Sequence, residues 1–189
     1  GLFKGHLDQD YVHPVYALDS TTISVCLTRF RWAHYRRAKG AFKLHTVLDE
    51  DIQLPVVMNM THGKRADVKE AKAAIEALGN KEITVVMDRG YNDYALFMWL
   101  TKRGTKFVTR IKENAKTTRL KDDVIEEGEN FGDYGFRFTQ ENAQEVCGDT
   151  RFRLVQWYDS DNDRWFEFLS NDFDLAAQQI ADLYRKRWQ

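Results

Sequence analysis

Scarcities narrow what this chain can be. It has only two cysteines, Cys26 and Cys147, in 189 residues. That is too few for a disulfide framework, and their spacing does not suit a zinc site, so both read as ordinary reduced residues. It has no run of 18 apolar residues, no basic-then-apolar leader and no acylation motif, so a soluble, cytoplasmic protein is expected. There are only two prolines, Pro14 and Pro55, and no repeats, low-complexity tracts or linkers. A string of small domains is therefore not expected. A net charge of −1 gives no global excess of either sign.

What is present is enough for a substantial core. Hydrophobic residues make up 43% and aromatics 13%, which argues against disorder, and the length suits one core domain plus a sizeable insertion. The near-zero net charge conceals segregation. Arg29 to Lys43 carries Arg29, Arg31, Arg36, Arg37, Lys39 and Lys43 without an acid, and Lys102 to Lys121 carries eight basic residues against Glu113. Asp122 to Asp149 then carries nine acids against one arginine. Each block alone fits a solvated loop equally well, but the basic ones have the character needed to track a phosphate backbone.

Two strand-like runs each end on an aspartate: Val15 to Leu18 before Asp19-Ser20-Thr21, and Ile83 to Met87 before Asp88-Arg89-Gly90. A carboxylate in a buried strand costs roughly 2 to 7 kcal/mol without a partner, so each needs a partner or a task. Ile83 to Met87 is continuously apolar, the pattern of a strand covered on both faces, and ligand sites gather at the carboxyl ends of such strands. Two converging carboxylates repel unless a divalent cation lies between them, which is the start of a two-metal phosphoryl-transfer site. The bland alternatives are an aspartate bonding its own Ser-Thr turn at Asp19 and a loop aspartate at Asp88.

Further along, Ile23, Val25 and Leu27 alternate with Thr22, Ser24 and Cys26 as a second strand, and Phe42 to Leu48 and Leu54 to Met60 form hairpins of an antiparallel sheet. Ala66 to Gly79 reads as a helix closed by its glycine, followed by the Asp88 strand, a helix from Asn92 to Arg103 and a strand from Lys106 to Ile111. Residues 111 to 170 read as a β-rich insertion of aromatic runs, including a hairpin across Asp159 to Asp163. From Asp174, as N-cap, Leu175 to Gln189 reads as a helix with Ile180, Leu183, Tyr184 and Trp188 on its apolar stripe.

These residues resemble the insertion-sequence DDE transposases of the branch marked by Y-x-x-R-x-x-x-E-x-x-x-x-x-x-K. Asp19 in Leu18-Asp19-Ser20-Thr21-Thr22 resembles the first catalytic aspartate and Asp88 in Asp88-Arg89-Gly90-Tyr91-x-Asp93 the second, while Tyr184-x-x-Arg187 matches the opening of the signature. By that spacing the glutamate falls two residues beyond Gln189. The resemblance implies a ribonuclease H-like α/β fold, a mixed sheet flanked by helices with the β-rich insertion before the last helix. Strands first, then helix, strand, helix, strand, is that order. Its parts would be a core over 1–110, the insertion over 111–170 and the last helix over 171–189, cut before the glutamate. It also implies that Asp19 and Asp88 bind Mg²⁺, which Mn²⁺ can replace. The activity implied is strand cleavage and transfer at mobile-element ends by a homodimer in the synaptic complex, in the cytoplasm at the nucleoid. Without its glutamate this chain is expected to be inactive. The rival reading is a non-catalytic DNA-binding ribonuclease H-like domain or a domesticated relative.

The DNA contacts expected are Tyr184 and Arg187, three apart on one helix face, with Arg89 and Lys43 from the basic segments. Trp165 is added because related transposases place a tryptophan before the last helix to hold a flipped base; Trp157 competes, and core packing suits both equally. Asp67 and Asp93 read as helix-capping or first-turn residues, Asp159 to Asp163 as a turn rather than a calcium loop, and His45 and His62 as structural.

Overall fold

The computed structural model describes residues 11–25, 34–36, 39–62, 67–112 and 117–187, with the backbone alone at 34–36, 39–40 and 118–122. Strands β1 (Val15–Val25), β3 (Lys39–Asp49) and β4 (Leu54–His62) form an antiparallel unit, with the short β2 (His34–Arg36) on β3. After α1 (Asp67–Ala77), β5 (Thr84–Met87) joins β1 in parallel, and after α2 (Tyr94–Arg103), β6 (Lys106–Arg110) joins β5 in parallel. The resulting order β4-β3-β1-β5-β6 is the ribonuclease H-like arrangement, three antiparallel strands extended by two parallel ones.

The residues from 117 onward do not form a separate sheet. The strands β7 (Thr117–Gly128), β8 (Phe131–Phe138), β9 (Phe152–Asp159) and β10 (Arg164–Ser170) continue the sheet outward from β6, because β10 pairs antiparallel with β6 through Phe168↔Arg110 to Ser170↔Val108. All ten strands belong to one sheet. A short helix α3 (Glu141–Cys147) links β8 to β9, and α4 (Ala177–Lys186) is followed by Arg187, the last described residue.

Side chains alternate across this sheet, so its two faces bury different sets. On one face Leu18, Val85, Met87 and Phe107 pack under α1 and α2, with Phe97 stacked on Phe107 at 5.0 Å. On the other, Val15, Val86, Val108 and Phe168 pack under α4 through Ile180, Ala181, Leu183 and Tyr184. The segment leading into α4 is tied down by Arg153, which is 2% exposed. Its guanidinium donates to both Asp133 oxygens, at 2.8 and 2.5 Å, and to the carbonyls of Asp172 and Leu175, at 2.8 and 2.6 Å. A buried cation with its hydrogen bonds met in this way is tolerated where an unpaired one is not.

Three local expectations are corrected. Instead of one strand ending at Asp19 and another following, β1 runs unbroken from Val15 to Val25, because Ser20 to Thr22 are β-tolerant and pair with His45 to Lys43. Asp174 does not cap α4. It takes an ion pair from Lys106 at 3.2 Å, and the backbone N–H of Ala176 at the cap instead donates to Gln179 Oε1 at 2.8 Å. And β7 and α3 were not foreseen. Trp188 lies outside the described residues.

Candidate active site

Leu18 pairs with Met87 in the parallel β1–β5 ladder. The next position along each strand is an aspartate, so Asp19 and Asp88 follow each other in register on strands that neighbour at about 4.8 Å. Leu18 and Met87 point toward α1 and α2; alternation therefore turns both aspartates to the α4 face. Asp88 stands where β5 ends. Its carboxylate Oδ1 accepts the Arg89 N–H at 2.5 Å and caps a 3-10 turn over Arg89–Tyr91. Asp19 is not in a buried environment as its apolar strand suggested. Its side chain is 55% exposed, because α4 covers the sheet only as far as this point.

At the end of α4, Arg187 Nη2 donates to Asp19 Oδ1 at 3.3 Å with its own side chain only 4% exposed. Tyr184 lies one turn earlier, 5% exposed, its ring 5.2 Å from that of Phe168. Below the aspartates, on the α1 face, Tyr91 is 2% exposed, its hydroxyl buried without a hydrogen-bond partner among the described residues. Burial, foremost, with the charges of Asp67 and Asp19 added, pushes the Tyr91 phenol well above its ordinary range. It therefore stays protonated.

A cleft of about 530 Å³ opens beside Asp88 between α4 and the β9–β10 turn. Arg89, Arg110, Arg164 and Arg185 line it with Phe166 and Tyr184, and Asp159 and Asp161 form its acidic rim. The guanidiniums of Arg110 and Arg164 lie 4.7 and 4.3 Å from the Phe166 ring, a geometry that holds planar cations in place. Arg164 and Phe166 escaped the sequence reading, which held Arg110 only as one of the basic block from Lys102 to Lys121. The signal available was the parity of β10, which puts Arg164, Phe166 and Phe168 on the side of Asp88.

The other expected DNA contacts are distributed differently. Arg89 lines the cleft. Lys43 sits on the α1 face, paired with both oxygens of Asp67 at 2.9 Å. Trp165 is 53% exposed, but alternation places it with Leu169 on the face away from Asp88, its ring 5.4 Å from Tyr158. Trp157 is on the α4 face, stacked on Phe131 at 5.7 Å. Of the expected structural residues, Asp93 caps α2 by accepting the Leu96 N–H at 2.8 Å, and His45 is buried with Nε2 at 2.9 Å from Thr61 Oγ1. Much of the basic stretch from Arg29 to Lys43 lies outside the described residues.

The donor set suits a hard divalent cation in kind, two carboxylates from neighbouring strands turned to one face, but no group of three His, Cys, Asp or Glu residues that could hold a metal occurs among the described residues. No helix among them is long and apolar enough to cross a membrane.

Comparison with known proteins gives relatives along most of the chain. Over 175 residues, 93% of this chain and 45% of the relative, the sequence is 27% identical to the probable transposase for insertion sequence element IS5377 of Geobacillus stearothermophilus. Over 201 residues, all of this chain and 54% of the relative, it is 28% identical to y4zB, a transposase-like protein of Sinorhizobium fredii. The chain thus spans about half the length of these curated relatives. Among solved structures, Ciona intestinalis endonuclease V in complex with a 24mer DNA shows a distant likeness: 13% identity, 92% of this chain, 77% of that chain and a TM-score of 0.39. The family described as the transposase DDE domain matches residues 10–189, nearly the whole sequence, and the chain belongs to that family of insertion-sequence DDE transposases.

Proposed function

We propose that this chain is the catalytic core of a DNA transposase that cuts and joins strands at the ends of a mobile element, using Asp19 and Asp88 as ligands for Mg²⁺, with Mn²⁺ as a substitute. The observation that supports the proposal is the register: the β1–β5 ladder reaches Leu18↔Met87, and the next residue on each strand is an aspartate. When bound, such a cation polarises the scissile phosphate and lowers the pKa of attacking water. The chain's own residues do the rest. Asp88 is oriented by the Arg89 N–H, and Arg187 offsets the charge of Asp19. Arg89, Arg110 and Arg164 provide planar donors that fit phosphate oxygens beside Asp88. Tyr184 acts through packing on Phe168.

A third acid belongs to this reading. One turn beyond Arg187 a residue would project from the same side of the helix, where the signature has its glutamate. This chain alone, with two carboxylates, is proposed to bind metal weakly and to be inactive as a nuclease. Work on mobile-element DNA also implies a pair of protomers bringing two ends together, in the cytoplasm at the nucleoid. A second reading, a DNA-binding relative without catalysis, draws on the lack of a third acid near the pair among the described residues.

The deciding experiment uses a protein extended through the expected glutamate and element-end DNA with Mg²⁺ or Mn²⁺. Nicking should fall by several orders of magnitude in Asp19→Ala and in Asp88→Ala, since each tenfold corresponds to about 1.4 kcal/mol and a ligand supplies several. Cleavage within about tenfold of the parent in either variant would remove that residue from the mechanism.

A further inference from the structure

The turn that carries Asp88 is clamped to β6 by the residue that completes it. Asn92 Nδ2 donates to Thr109 Oγ1 at 3.1 Å and to the Arg110 carbonyl at 3.0 Å, while Thr109 Oγ1 lies 3.4 Å from the carbonyl of Asp88 itself. Tyr91 sends its ring into the core, where its hydroxyl is buried without a hydrogen-bond partner among the described residues. Its backbone N–H donates to the Asp88 carbonyl at 3.0 Å, so ring and turn move together.

Without such anchors the Asp88 turn would be a weak mount. It is a 3-10 turn of three residues, and that geometry makes poor internal hydrogen bonds. The carboxylate it carries faces the same side of the sheet as that of Asp19 on the neighbouring strand, and like charges push such a turn outward.

We infer that Asn92 and Thr109 are positioning residues which fix Asp88 relative to Asp19 by clamping its turn to β6. This rests on the reading of Asp19 and Asp88 as a shared cation site. Neither residue touches the cation; each sets the separation of the carboxylates that do. Hard cations with oxygen ligands near 2.1 Å tolerate little error in that separation.

The test is a titration of the purified 189-residue protein with Mn²⁺ alone, free Mn²⁺ being read by electron paramagnetic resonance, with urea unfolding measured on every variant. Thr109→Val and Asn92→Ala should each weaken Mn²⁺ binding by about tenfold or more, the usual effect of removing a hydrogen-bonding partner behind a metal ligand. Thr109→Val keeps the shape of the side chain, so it decides the matter should Asn92→Ala fold poorly. The double variant should add little to either. Unchanged Mn²⁺ affinity in Thr109→Val and in whichever Asn92 variant folds, with binding lost in Asp88→Ala, would overturn this inference and leave the shared site standing. Unchanged affinity in Asp88→Ala would overturn the site itself.

Discussion

Arg187 Nη2 lies 3.3 Å from Asp19 Oδ1, a nearly buried guanidinium at the end of α4 reaching a half-exposed carboxylate in the middle of β1. The contact joins the last described helix to the strand next to β5, across the place where two aspartates stand in register. The arginine therefore supplies positive charge where the site concentrates negative charge, and the end of α4 depends on the same neighbourhood that a metal would occupy.

Removing that charge should make the protein more dependent on divalent cations. Arg187→Ala should lower stability by about 1 kcal/mol, the upper range for a pair with one exposed partner, which is roughly 2 to 4 °C in Tm for a chain of this size. Mg²⁺ should then restore more of the loss in the variant than it adds to the parent, because a cation bound only by the folded state stabilises it by mass action. Thermal scans with and without Mg²⁺ check this. An equal Mg²⁺ increment in both proteins would mean that Arg187 does not share the field of the aspartates.

The buried pair Arg153–Asp133 should be far more costly to break. Asp133→Ala leaves a guanidinium that is 2% exposed without its carboxylate, and breaking such pairs typically costs about 3 to 5 kcal/mol. The double change Arg153→Met with Asp133→Leu should recover part of that, but not all, since the carbonyls of Asp172 and Leu175 lose their donor. Urea unfolding of the three variants measures the ordering. A double variant weaker than Asp133→Ala would show that holding the lead-in to α4 matters more than charge balance.

At the sheet's far end, acid should reveal the Asp123–Arg151 pair. The Arg151 guanidinium donates two hydrogen bonds to the Asp123 carboxylate and holds its pKa below the usual carboxylate range. A lowered acid contributes stability above its unfolded pKa of about 4, and that contribution disappears as pH falls through the folded-state value. The Arg151 and Asp123 side chains are 41% and 22% exposed, so solvent screening limits the effect of Arg151→Gln to about 1 kcal/mol or less at pH 7. Parent and variant should converge as pH is lowered below about 4. A difference that stays constant with pH would assign the pair's effect to packing.

The fold was legible where one residue's chemistry decided the local structure. Asp88 after an apolar run marked the end of β5, Gly79 in the left-handed region closed the helix of α1, and the aspartate-rich turn between β9 and β10 announced a hairpin. What stayed hidden depended on pairing. Asp19 gave the appearance of ending a strand, yet β1 continues because Thr46 to Gly40 lie opposite it. Trp165 and Phe166 are adjacent in sequence, and only the register of β10 on β6 decides which of them faces Asp88. Long-range partners of that kind leave no periodic trace in a single strand.

That parity gives the last prediction. Arg110 and Arg164 flank the Phe166 ring within the cleft that holds Asp88, while Trp165 looks out from the opposite face. If DNA runs through the cleft, each arginine neutralises a phosphate and releases counterions, so Arg110→Ala and Arg164→Ala should each weaken binding about equally for all sequences. Each should also reduce the slope of log K against log salt by about 1. Phe166→Ala should have a similar effect on affinity through loss of the surface that orders both guanidiniums, whereas Trp165→Ala should leave both affinity and slope near the parent's. Fluorescence anisotropy of labelled duplex, titrated at several salt concentrations, separates these outcomes. A large loss in Trp165→Ala with the arginine variants unaffected would place the DNA on the other face of the sheet, away from Asp88, and the proposed nuclease geometry would fail with it.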